Sequence, residues 1–156
     1  LKKINPDVKF SSDFIIGYPG ETEQDFDATL NLLKQIKFVN TYSFIFSSRP
    51  GTPAANFRKV DYEVAKIRLI KFQNIAENVK KSFRNSLFNK EITVLFENRV
   101  GNKENEFFGR DEFSNAVIAK SELNLVGKLR KLRILSGNNS TLFGKIETRI
   151  DSEFAA

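Results

Sequence analysis

A chain of 156 residues, 40% apolar and 28% charged, is expected to form one ordinary globular domain or two small ones. It contains no Cys and no His, so disulfides, thiolate or imidazole metal ligands, and Cys- or His-based catalysis are excluded within it. Its net charge of +6 is uneven: residues 1–56 and 90–156 are nearly neutral, whereas residues 57–89 carry eight basic against three acidic groups. That basic segment suits a polyanion partner, although a solvated helix face would read the same way.

No apolar run approaches the roughly 20 residues that span a bilayer, and Leu-Lys-Lys-Ile-Asn-Pro at the start lacks the apolar core of a signal peptide. A cytoplasmic protein without a membrane partner is expected. Met is absent and the chain opens at Leu1, which reads as a piece of a longer polypeptide.

In chain order, the first element is a strand over residues 10–16, apolar enough at Phe14-Ile15-Ile16 to suggest that both faces are covered. It stops at Gly17 and turns through Pro19-Gly20. Thr22 then caps a helix over residues 23–37, with Glu23 and Asp25 in its positive first turn and Phe26, Leu30, Leu33 and Ile36 at helical spacing. A second apolar strand, Tyr42-Ser43-Phe44-Ile45-Phe46, calls for a parallel βαβ unit. Both strands run into Gly/Pro-rich loops, the second being Ser47 to Ala55, and open α/β sheets bind ligands beyond the carboxyl ends of their strands.

Asp61 caps a long helix reaching about Phe88. Ala65, Leu69, Phe72, Ala76, Val79 and Phe83 form its apolar stripe, while Lys66, Lys80, Lys81 and Arg84 are expected in solvent. Two strands and their helices leave unpaired sheet edges, which again points to a part of a larger fold. From Lys90 the pattern changes to short apolar runs at 92–96, 107–108, 116–119, 129–135 and 142–146, separated by turn residues. These predict a small antiparallel barrel or sandwich, with a bulge near Gly127 or Lys131 and a hinge near residues 85–90. Residues 151–156 read as a frayed tail.

Ser12-Ser-Asp-Phe-Ile-Ile-Gly-Tyr-Pro-Gly-Glu-Thr22 with Asp25-Phe26, and Tyr42-Ser-Phe-Ile-Phe-Ser-Ser-Arg-Pro-Gly-Thr-Pro-Ala-Ala55, closely resemble the late barrel segment of radical-S-adenosylmethionine (radical-SAM) methylthiotransferases. Phe108-Gly-Arg110, Val126-Gly-Lys128 and Leu142-Phe-Gly-Lys145 resemble their C-terminal RNA-binding TRAM domain. The resemblance implies an α/β plus all-β organisation: a partial radical-SAM, TIM-like barrel over residues 1–88, an OB-like antiparallel barrel over 89–150, and a tail over 151–156. Arg49 to Ala55 fits the tRNA-modifying members. Tyr42 to Ser47 favours the branch acting on dimethylallyladenosine, with the threonylcarbamoyl-adenosine branch as the alternative.

The family cleaves S-adenosylmethionine with a [4Fe-4S] cluster held by a CxxxCxxC motif and methylthiolates an adenosine beside the tRNA anticodon. Those cysteines are not in this chain, which alone should be inactive, or at most a catalytically incomplete RNA-binding fragment. The resemblance implies that Ile15 and Gly17 pack against the cofactor, the glycine by letting a ligand approach the backbone. Phe46 would line the same pocket. Arg49 and Thr52 stand at the mouth, with Arg49 either gripping a phosphate or carboxylate or pairing with Glu21 or Asp13. Arg99, Arg110, Lys128, Arg130 and Lys145 are the expected contacts to a tRNA anticodon stem-loop, with Phe107, Phe108 or Phe113 available for stacking unless they are core. A basic residue common near Asn115 in the family is missing. The parent enzyme is expected to be monomeric and to include a preceding portion of the same polypeptide.

Overall fold

The computed structural model describes Leu1 and residues 3–147, so the expected tail at 151–156 lies outside the described residues. The chain forms two compact units, dividing between Ser82 and Phe83.

In the first unit, β1 (Ser11–Ile16) and β2 (Asn40–Ile45) pair in parallel, Ser11 opposite Asn40 through Ile16 opposite Ile45. Between them runs α1 (Glu23–Ile36), started by a capping box in which Asp25 N donates to Thr22 Oγ1 (3.2 Å) and Thr22 N donates to Asp25 Oδ2 (2.9 Å). A 3₁₀ turn (Pro53–Asn56) precedes α2 (Tyr62–Asn85), where Asp61 Oδ1 accepts from Glu63 N and Val64 N. The core joins Ile16 of β1, Phe26, Leu30 and Leu33 of α1, and Phe72 and Ala76 of α2. Phe14 packs at its margin, edge-on to Phe38 (ring centroids 5.4 Å apart).

Only one face of the two-stranded sheet is covered, contrary to the expectation for an apolar strand. Phe14 and Ile16 turn inward, while Ile15, Tyr42 and Phe44 stand exposed on the other face.

The second unit is a closed barrel of β3 (Glu91–Arg99), β4 (Glu106–Asp111), β5 (Ala116–Lys120), β6 (Leu129–Gly137) and β7 (Thr141–Ile146), in the order β3-β4-β5-β7-β6 with β6 returning to β3. The expected all-antiparallel pairing fails at one seam, where β5 and β7 run parallel. Strands of alternating direction cannot close a ring of odd number, so five strands require one parallel pair. The irregularities also differ from expectation: pairing shifts between Phe96 and Asn98 and between Ile134 and Ser136, whereas Gly127 sits in the turn before β6 at φ +75°.

Val94, Phe96, Phe107, Val117, Ala119, Leu132, Ile134 and Leu142 fill the barrel. Its walls approach closely at Gly144, where a Cβ would lie 2.0 Å from Leu132 Cδ1. The last turn of α2 and the turn after it belong with this core: Leu87 is part of it, and Phe83 and Phe88 pack against it. Arg84, expected in solvent, is instead 4% exposed. Its Nη1 donates to the Asn139 carbonyl, and its Nε and Nη2 are buried without a hydrogen-bond partner among the described residues.

Candidate functional site

Beyond the carboxyl ends of β1 and β2, the two Gly/Pro-rich loops enclose a cavity of about 570 Å³. Its lining includes the apolar side chains of Ile15, Tyr18, Phe44 and Phe46 from the strands and first loop, and Arg49 and Thr52 from the second loop. The parallel ladder extends one step past β2, as Phe46 N donates to Ile16 O (2.9 Å). The Phe46 ring meets Tyr18 edge-on with centroids 5.1 Å apart. Thr52 Oγ1 donates to Arg49 O (2.8 Å), so this hydroxyl closes the loop that presents Arg49.

Among the described residues Arg49 has no ion-pair partner, and Glu21 is taken elsewhere. Glu21, one of its two expected partners, accepts from Arg68 Nη1 at 2.7 Å and from the Gly17 amide at 3.0 Å. Arg68 also bonds Glu23 Oε2 (2.9 Å) and the Glu21 carbonyl (3.2 Å), and its guanidinium lies 5.5 Å from the centre of the Phe26 ring. Burial opposes its charge, but the bonds to Glu23 and Glu21 outweigh that and hold its pKa above the ordinary value. This chain of bonds fixes the turn between β1 and α1 from the side of α2.

Gly17 stands apart from the other expected cofactor contacts. It does not line the cavity, and the space its Cβ would occupy faces α2, 2.7 Å from Ala65 Cβ, with φ at +71°. Its lack of a side chain thus makes room for the approach of a helix to the turn.

Sequence reasoning passed over Tyr18, Phe44 and Arg68. Phe44 is two residues before Phe46, and a strand's period of two places both on one face. Arg68 sits three residues from Ala65 and four from Phe72, inside the helix's apolar stripe, and that spacing marks a buried cation.

On the barrel, the five cations expected at RNA occupy different places. Arg110 lies on the outer face of β4, its guanidinium 5.4 Å from the Phe108 ring centre and 3.6 Å from Glu97. Lys145 lies on the outer face of β7, exposed and without an ion-pair partner among the described residues. Arg99 ends β3 and stacks on Phe107 at 5.6 Å. Lys128 and Arg130 flank the start of β6, exposed. Phe107 is core, Phe108 is half-buried on the outer face, and Phe113 is half-buried against Phe83 (5.2 Å, edge-on). Asn115 is buried, its side chain donating to Asp111 Oδ2 (2.8 Å), so the residue locks the β4–β5 turn and is no surface position in this protein.

A parallel β-α-β rim with an apolar cavity and one cation, together with a closed five-stranded barrel, is the combination found here. No protein-family model matches the chain. It is similar over most of its length to enzymes named tRNA-2-methylthio-N6-dimethylallyladenosine synthase. The similarity is 47% identity with that of Pelagibacter ubique over 94% of this chain and 32% of the relative. It is 40% with that of Vesicomyosocius okutanii over 96% and 34%, and 37% with that of Wolbachia pipientis wMel over 92% and 33%. The chain thus spans about a third of the length of the curated relatives it matches.

Proposed function

We propose that this chain is part of a tRNA-2-methylthio-N6-dimethylallyladenosine synthase, a radical-SAM methylthiotransferase. In this reading residues 1–88 form a late segment of the TIM-like catalytic barrel, and residues 89–150 the OB-like TRAM barrel that holds the tRNA anticodon stem-loop. The observation that carries it is the cavity beyond β1 and β2, framed by the two loops whose sequences resemble that family. The exposed apolar face of the sheet at Ile15, Tyr42 and Phe44 suits the interior of a barrel completed by further strands. The names of the relatives favour the dimethylallyladenosine branch over the threonylcarbamoyl one.

The residues present fit the adenosyl half of S-adenosylmethionine. Ile15 and Phe46 offer an apolar wall to an adenine ring, and Arg49 at the mouth offers a planar fork to a carboxylate or phosphate. Thr52 holds the Arg49 loop, and Gly17 lets α2 support the turn from behind. When bound, the cofactor supplies the hydrogen-atom abstraction that opens an adenosine to methylthiolation. The iron-sulfur cluster does not fit this chain, which has no Cys, and among the described residues no group of His, Cys, Asp and Glu could hold a metal ion. By itself the chain therefore binds and orients without performing the chemistry. Among the described residues no helix is long and apolar enough to cross a membrane. In this reading the tRNA partner sets a cytoplasmic location.

Replacing Phe46 by Asp in the encoding gene tests the reading. We expect tRNA from such cells to lose most of its methylthiolated adenosine and to accumulate the dimethylallyl precursor, measured by nucleoside mass spectrometry. Full methylthiolation with Asp at this position would overturn it.

A further inference from the structure

Three residues of the cavity lining have no part in the readings above. Pro53 and Ala54 of the 3₁₀ turn and Phe57 just after it also line the cavity. Backbone bonds fix this turn: Ala55 N donates to Thr52 O (3.1 Å), and Phe57 N donates to Ala54 O (3.3 Å). Phe57 leaves the turn in extended backbone, at φ −81°. Its ring is 51% exposed, and among the described residues it joins neither core and meets no other aromatic ring. One exposed phenyl ring alone would need no explanation. This one borders a cavity already lined by Ile15, Phe44 and Phe46, and contiguous apolar lining marks a ligand groove.

The chemistry of this stretch is one-sided. Pro53 has no N–H, and the side chains of Pro53, Ala54 and Phe57 carry no polar atom, so they give a ligand apolar contact and no side-chain hydrogen bond. The next two residues are Arg58 and Lys59, both exposed and without an ion-pair partner among the described residues. Apolar lining followed at once by two free cations suits an apolar group carried on a polyanion better than a free hydrocarbon.

We propose that Phe57, with Pro53 and Ala54, seats the dimethylallyl group of the target adenosine, and that Phe57 is the residue that sets specificity for it. This rests on the reading of the chain as part of a dimethylallyladenosine methylthiotransferase, and it deepens that reading by assigning a residue to the substrate's tail. A dimethylallyl group is branched hydrocarbon without donor or acceptor, so it leaves nothing unpaired against these side chains. A threonylcarbamoyl group brings a carboxylate, a hydroxyl and N–H groups, which would lose water there without a partner from these three side chains. An unmodified adenosine leaves the Phe57 ring in water. Phe57 therefore separates the three nucleosides by burying apolar surface for one alone. An apolar contact of this kind discriminates about tenfold or more.

The test uses the complete product of the encoding gene and three labelled anticodon stem-loops that differ only at the target adenosine: unmodified, dimethylallylated or threonylcarbamoylated. Fluorescence anisotropy gives the affinity for each RNA, and equilibrium dialysis that for S-adenosylmethionine. The parent should prefer the dimethylallyl RNA about tenfold or more. Phe57→Ser should remove most of that preference, with unmodified RNA and S-adenosylmethionine bound as before. Phe57→Leu, which keeps apolar bulk, should retain it. Arg58→Gln combined with Lys59→Gln should weaken all three RNAs alike and leave the preference intact. An undiminished preference in Phe57→Ser would overturn the seat alone. So would loss of S-adenosylmethionine binding in that variant, which would give Phe57 to the cofactor, or equal weakening of all three RNAs, which would make its role structural. A parent without preference also overturns the seat, while the methylthiotransferase reading stands or falls separately on the nucleosides of Phe46→Asp cells. A parent that favours the threonylcarbamoyl RNA, or binds none of the three, overturns the seat and that reading together.

Discussion

Gly17 ends β1 in a left-handed conformation with Ala65 of α2 where its side chain would be. Gly17→Ala should cost about 2–3 kcal/mol, from positive φ and from overpacking together, read as a lowered melting temperature of the first unit. The Arg68–Glu21 pair is nearly as constrained: Arg68 is 8% exposed, and the side chain of half-buried Glu21 is 10% exposed. Arg68→Met should leave the Glu21 carboxylate stranded and cost about 3 kcal/mol, detectable by denaturant titration. Arg68→Met combined with Glu21→Gln should recover part of that loss. These residues show where sequence reading stops. The glycine was legible as a required glycine, but whether a ligand or a helix fills the space beside it depends on a residue 48 positions away. Arg84 shows the same limit. Its burial depends on the β6–β7 loop, whose Asn139 carbonyl it reaches, and no local pattern carries that information.

Helix α1 was the most legible element, because its start, stripe and cap are all local. Thr22 and Asp25 satisfy one another's backbone groups, and Thr22→Ala should destabilise the first unit by about 1 kcal/mol. The bonds from the Thr22 side chain and backbone hold the Asp25 pKa below the usual carboxylate value. A depressed carboxyl pKa contributes stability that is complete above the unfolded value and lost as pH falls through the folded one. Circular dichroism on acidification should therefore show the α1 start fraying below pH about 4, and Thr22→Ala should remove that acid dependence. The barrel strands were legible as apolar runs, and five of them were placed correctly. Their closure was less so. That β5 meets β7 in parallel follows from closing an odd ring, and the pairing shifts near Glu97 and Leu135 arise from partners across the sheet.

At the scale of the molecule, the two units rest on different foundations. The barrel closes every strand against a neighbour, whereas β1 and β2 form a two-stranded sheet with one apolar face exposed. Hydrogen exchange on this chain should show β1 and β2 amides exchanging faster than those of β3 to β7, and equal protection would contradict that ranking. The cavity at the end of that sheet was legible because two strands and two loops of recognisable sequence converge there, whereas the exposed face ran against the apolar pattern of the strands. What the sequence could not show is that α2, through Arg68 and Ala65, sets the shape of the turn. The central claim is that this chain serves the methylthiolation of dimethylallyladenosine in tRNA. Its most direct test is nucleoside mass spectrometry of tRNA from cells lacking the encoding gene, compared with cells in which it is restored. The account predicts loss of the methylthio-dimethylallyl nucleoside, accumulation of its dimethylallyl precursor and an unchanged threonylcarbamoyl series. An intact methylthio-dimethylallyl nucleoside in the deletion would contradict it.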